Sequence, residues 1–105
     1  MPTIHEASLG GLGKVVKGKQ IDQAEAVSRR KSGGDIVVCG ESTSENRRLA
    51  QDIEEAAVGF GNWQRCDPHL LSAGPQALPH YHPKTRVPGG HTFYETDRRK
   101  AAAKS

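Results

Sequence analysis

The sequence predicts a small α+β domain of helices and short strands. Three stretches carry that expectation. Asp35–Gly40, DIVVCG, is a short apolar run between turn residues, and β-branched Ile36, Val37 and Val38 favour a buried strand at that length. Ser42–Val58 reads as a helix: Ser42 and Glu45 have the capping-box spacing, Leu49, Ile53 and Ala56 or Ala57 form an apolar stripe, and Gly59 is a stop. His91–Glu95, HTFYE, is rich in β-formers and reads as the last strand.

The other elements follow in order. Met1–Lys19 holds Gly10, Gly11, Gly13 and Gly18 among Lys14, Lys17 and Lys19, with little to bury, and reads as a flexible linker (residues 1–19) in which Val15-Val16 is the one strand-like pair. Gln20–Lys31 reads as a helix with Ile21, Ala24 and Val27 or Ser28 on one face. Arg29, Arg30 and Lys31 fall in its last turn, where cations suit the helix dipole. The pairs Arg29-Arg30 and Arg47-Arg48 are expected on solvated faces, and Glu54 off the buried stripe. Asn62–Cys66, NWQRC, is a strand with Trp63 as its large side chain, and His69–Gln76 is a loop. Residues 20–95 thus make the domain, and the cation-rich 96–105 a basic tail.

A chain of 105 residues is one domain with a small core, and hydrophobic residues at 34% keep it small. The formal charge of +3 is compatible with a polyanionic partner. Two cysteines, Cys39 and Cys66, are too few for a disulfide scaffold and leave one bridge or two buried thiols open. No apolar run approaches the roughly 20 residues that span a bilayer, and no signal-peptide core is present. The expectation is a chain that stays where it is made or travels within something larger, without a membrane partner.

Chemistry concentrates in Leu78–Glu95, LPHYHPKTRVPGGHTFYE, which reads as an active-site loop running into a strand. It holds three of the five histidines, His80, His82 and His91, with the cations Lys84 and Arg86 and the hydroxyls of Thr92 and Tyr94. His80 and His82 project from one side if the backbone is extended, and the Gly89-Gly90 turn brings His91 back toward them. Histidines near neutral pH act as base and acid, and metal-free RNA cleavage needs that pair. A base deprotonates the 2′-hydroxyl, an acid protonates the leaving 5′-oxygen, and cations hold the phosphate. Lys84 and Arg86 fit the last role, and Thr92 or Tyr94 that of a hydrogen-bonding helper. The competing reading is zinc, held by Cys66, His69, His80 and His82 in an interaction module. Trp63 reads as structural before it reads as a base-stacking platform.

The order DIVVCG, capped helix, LPHYHP and GGHTFYE, over roughly residues 33 to 95, resembles C-terminal toxin domains of bacterial polymorphic toxins of the wall-associated, Rhs-repeat and contact-dependent-inhibition types. The resemblance implies N-terminal helices packed on a small, mainly antiparallel sheet, a ribonuclease fold of the barnase, colicin or RelE kind, and a secreted or cell-surface parent protein. It also implies action in the cytoplasm of a target cell and a cognate immunity protein. On that basis the expected activity is a metal-independent endoribonuclease, monomeric and without cofactor, acting on RNA, with tRNA the expected substrate. A toxin with a target other than nucleic acid is the other alternative.

Overall fold

The computed structural model describes residues 2–9, 14–66, 78–85, 89–97 and 99–103. The fold is α+β, as the sequence predicts. Strands β1 (Thr3–Leu9) and β2 (Val15–Ile21) precede helix α1 (Gln23–Lys31). Then come β3 (Ile36–Cys39), α2 (Thr43–Val58), β4 (Trp63–Cys66), β5 (His80–Pro83), β6 (Thr92–Tyr94) and β7 (Ala102–Ala103). They form one sheet in the order β4-β5-β6-β3-β1-β2-β7. The pairings β3 with β6 and β2 with β7 are parallel and the rest antiparallel, so the sheet is mixed but mainly antiparallel.

Both helices begin at side-chain caps. In α2 the Ser42 hydroxyl accepts from the Glu45 amide at 3.3 Å, and Gly59 ends the helix with φ 100°. Helix α1 starts three residues later than the Gln20 of the sequence reading, because Asp22 forms the stronger start. Its Oδ1 accepts from Glu25 N at 2.8 Å, while Glu25 Oε1 accepts from Asp22 N at 3.2 Å. Ile21 therefore ends β2, opposite Ile4 of β1. The buried face of α1 is Ala26 and Arg30, with Val27 packed alongside, and Ala24 is exposed.

Residues 3–9 and 15–19, expected in a linker, belong to the sheet. Strand β1 lies in the middle of the sheet, hydrogen-bonded to β3 on one side and β2 on the other, and Ile4, Ala7 and Val15 are buried. The glycines and lysines conceal this. Gly18, for one, faces Glu6, whose carbonyl would lie 3.2 Å from an added Cβ, beside the register shift between His5 and Ala7. Within the tail, residues 101–103 are likewise part of the fold. Ala102–Ala103 pairs with Val16–Lys17, and Ala101 N donates to Glu95 Oε2 at 2.8 Å.

Strand alternation sorts the core into two layers. Under the helices lie Ile4, Ile36, Val38, Tyr81 and Tyr94, against Ala26, Ala50 and Ile53. On the opposite face lie Ala7, Val15, Val37, Cys39, Leu78 and Phe93. Trp63 is structural: it meets Tyr81 edge-on at 5.2 Å, and its Nε1 donates to Glu55 Oε2 at 3.1 Å. Cys39 is a buried free thiol. The loop expected at residues 69–76 lies outside the described residues.

Candidate active site

Residues 80–83 are a strand, not a loop: β5 is paired to β4 on one side and β6 on the other. His80 stands opposite Phe93, Tyr81 opposite Thr92, and Thr92 opposite Ile36 of β3. One step further along this register brings His82, His91 and Asp35 into a row across three strands. Alternation then places His80, His82, His91 and Phe93 on the face away from the helices, and the rings do gather. His80 meets His91 edge-on at 4.8 Å between centroids, His82 lies 6.0 Å from His80, and Phe93 contacts both His80 and His91.

The three histidines differ in exposure. His80 and His82 are 5% and 2% exposed, whereas the His91 side chain is 28% exposed. Each holds an acceptor at Nδ1: Leu78 O for His80 (3.4 Å), Pro83 O for His82 (2.8 Å) and Asp35 Oδ1 for His91 (3.2 Å). An Nδ1–H donor is the tautomer these contacts require. Asp35 was not singled out in the sequence. Its Oδ1 accepts from both the His91 backbone amide, at 2.7 Å, and the ring. Burial would raise the Asp35 carboxyl, but the hydrogen bonds from His91 and the charges of His91 and Arg30 outweigh it, and the net shift is downward. A carboxylate that stays ionised and fixes a histidine ring has the arrangement that the orienting member of an acid–base pair requires.

The backbone holding this pair is clamped from behind. Arg30, expected in solvent, is fully buried and paired with the equally buried Glu54. Its Nη1 donates to Gly34 O at 3.0 Å and Gly89 O at 2.8 Å. Gly33 and Gly90 both have φ 86°, and a Cβ on Gly90 would sit 2.5 Å from Gly33 O. The two glycine turns thus pack on each other immediately before Asp35 and His91. Ile36 N donates to His91 O at 3.1 Å and closes the junction.

Thr92 and Tyr94 do not join the site. They point to the helix face, so neither can help at a phosphate held by the histidines. Thr92 Oγ1 donates to Glu54 Oε1 at 2.6 Å and accepts from Arg30 Nε, while Tyr94 is buried beside Tyr81 and accepts a hydrogen bond from Arg65. Lys84 is exposed in the turn after β5, its amide tied to Asn62 O at 2.9 Å. Arg86 lies outside the described residues, as do His69 and the Cys66 side chain that the zinc reading needs. Among the described residues no three His, Cys, Asp or Glu side chains are arranged to hold a metal ion.

No protein-family model, no curated protein and no solved structure matches the chain.

Proposed function

We propose that this chain is a metal-independent endoribonuclease domain of an interbacterial toxin. The observation that carries the reading is the Asp35–His91 pair at the accessible edge of a histidine cluster, with the His80 ring against it. With its proton on Nδ1 and directed at Asp35, neutral His91 has its lone pair on Nε2 to accept the proton of a ribose 2′-hydroxyl. The 2′-oxygen attacks phosphorus and the bond to the 5′-oxygen breaks. That oxygen takes a proton from the acid, for which His80 is the nearest group. Asp35 stabilises the imidazolium formed on His91. Lys84, with Arg86 from the same segment, supplies positive charge for the phosphate. The product carries a 2′,3′-cyclic phosphate, and tRNA is the proposed substrate.

In this reading the domain is delivered as part of a larger secreted or cell-surface protein and acts as a monomer in the target cytoplasm. An acidic immunity protein covers the histidine face, where charge complementarity speeds association. The test is incubation with total RNA in EDTA, followed by mapping of the new ends. Cleavage is expected with a bell-shaped pH dependence in the histidine range. Replacing His91 by Ala should slow it by a factor on the order of 10²–10⁴. Full activity in the His80→Ala, His82→Ala, His91→Ala triple variant, or strict dependence on added divalent metal, rules the mechanism out.

A further inference from the structure

One feature at the site's end of the sheet is not explained by packing. Phe60 is 89% exposed, whereas Phe93, Tyr81 and Tyr94 are buried. Its turn is tightly built. Gly59 and Gly61 flank it with φ 100° and 77°, a region L side chains rarely adopt. Asn62 N donates to Gly59 O at 3.2 Å, and Asn62 Nδ2 donates to Val58 O at 3.1 Å. At Gly61 an added Cβ would meet nothing within 4 Å, so glycine serves the backbone conformation there and not a close contact. The effect is to present an aromatic ring to solvent on an anchored turn.

The location gives the ring a use. The Asn62 carbonyl accepts the Lys84 amide, which ties the Phe60 turn to the β5 turn and its exposed cation. The register of β5 with β6 puts this end of the sheet beside Gly89–His91. Strands β4 and β6 are separated by two strand spacings, roughly 10 Å. An exposed aromatic ring and an exposed lysine on turns joined by a backbone hydrogen bond, at the sheet end where His91 and Asp35 pair, are the kinds of group a single-stranded nucleic-acid site uses, in which bases stack on aromatics and cations follow the backbone.

We infer that Phe60 is a base-stacking subsite for single-stranded RNA, with Lys84 on the adjoining phosphate. The inference rests on the ribonuclease reading and extends it by placing a nucleotide away from the bond cleaved. Stacking needs only a π-face, so this subsite adds affinity with little sequence preference.

The test measures binding of a short single-stranded 2′-O-methyl RNA, which lacks the attacking hydroxyl and stays intact, alongside cleavage of unmodified RNA. Phe60→Ala should weaken binding by roughly 5- to 150-fold, the worth of one stacked base. Phe60→Trp should restore it and show indole quenching on titration, and Phe60→Leu, apolar but without a π-face, should not restore it. Lys84→Ala should lower the salt dependence by about one phosphate contact. All four variants should melt with the wild type, since neither side chain is in the core. Wild-type affinity in Phe60→Ala, or rescue by Phe60→Leu, overturns the subsite while cleavage by the wild type leaves the ribonuclease reading standing. A wild type that neither binds nor cleaves RNA overturns both.

Discussion

Arg30 and Glu54 face each other in two parallel hydrogen bonds, Nε to Oε1 and Nη2 to Oε2, each 2.8 Å long, with neither side chain exposed. Thr92 adds its hydroxyl to the same carboxylate, and the remaining guanidinium nitrogen holds the carbonyls of Gly34 and Gly89. One ion pair thus joins α1, α2, β6 and the two turns that precede Asp35 and His91. Arg30→Met strands a buried carboxylate and should cost about 3–5 kcal/mol in denaturant unfolding. The double variant Arg30→Met, Glu54→Leu should recover most of that stability, because it removes both charges, yet it lacks the clamp on the turns. RNA cleavage should therefore stay impaired in the double variant. Recovery of stability and activity together would show that the pair does not position the site.

The two glycines of the second turn separate backbone conformation from space. Gly90→Ala introduces a Cβ at positive φ, 2.5 Å from Gly33 O, and should cost about 1–3 kcal/mol while displacing His91. At Gly89 an added Cβ meets nothing within 4 Å, so Gly89→Ala should change stability by no more than about 0.5 kcal/mol. Thermal melts of the two variants side by side decide it, and equal melting temperatures would contradict the packing of the turns.

Asp35 supplies a pH signature. Its carboxyl is held below its ordinary value of 3.8, so it favours the folded state above that pH. The contribution disappears as pH falls through the lowered folded value. Asp35→Asn should accordingly flatten the acid limb of the stability profile below about pH 4. It should also slow RNA cleavage by a factor on the order of 10², the cost of a misplaced catalytic group. Unchanged cleavage would remove Asp35 from the site.

Burial, with the nearby Glu95 carboxylate, pushes the Cys39 thiol up to about 12. The raised value favours the folded state fully below the unfolded thiol's 9.0, and that contribution is lost as pH climbs toward 12. In a Cys66→Ser background, Ellman's reagent at about pH 8 should leave the native protein unmodified and label Cys39 only after denaturation. Fast labelling of the folded protein would mean that this face of the sheet opens.

Much of the local structure could be read directly from the residues. The cap and stop of α2, the buried β3 run and the β-forming HTFYE segment act through near neighbours, and each formed as expected. The alternation that separates Thr92 and Tyr94 from His91 and Phe93 was equally legible, since it depends only on the two-residue period of a strand. Pairing decided the rest. Thr3–Leu9, next to a glycine- and lysine-rich stretch, becomes a central strand because β3 offers it hydrogen bonds and Ile4 finds a place in the core, neither of which the local composition reveals. Arg30 and Glu54, 24 positions apart, are buried because each neutralises the other, and without its partner either side chain would be expected in water. Asp35 reaches His91, 56 positions away, only through the parallel pairing of β3 with β6. The histidine stretch was thus visible as a concentration of titratable side chains, but which carboxylate pairs with it, and which face its neighbours turn to, are properties of strand order and register. These follow from long-range burial and not from local sequence.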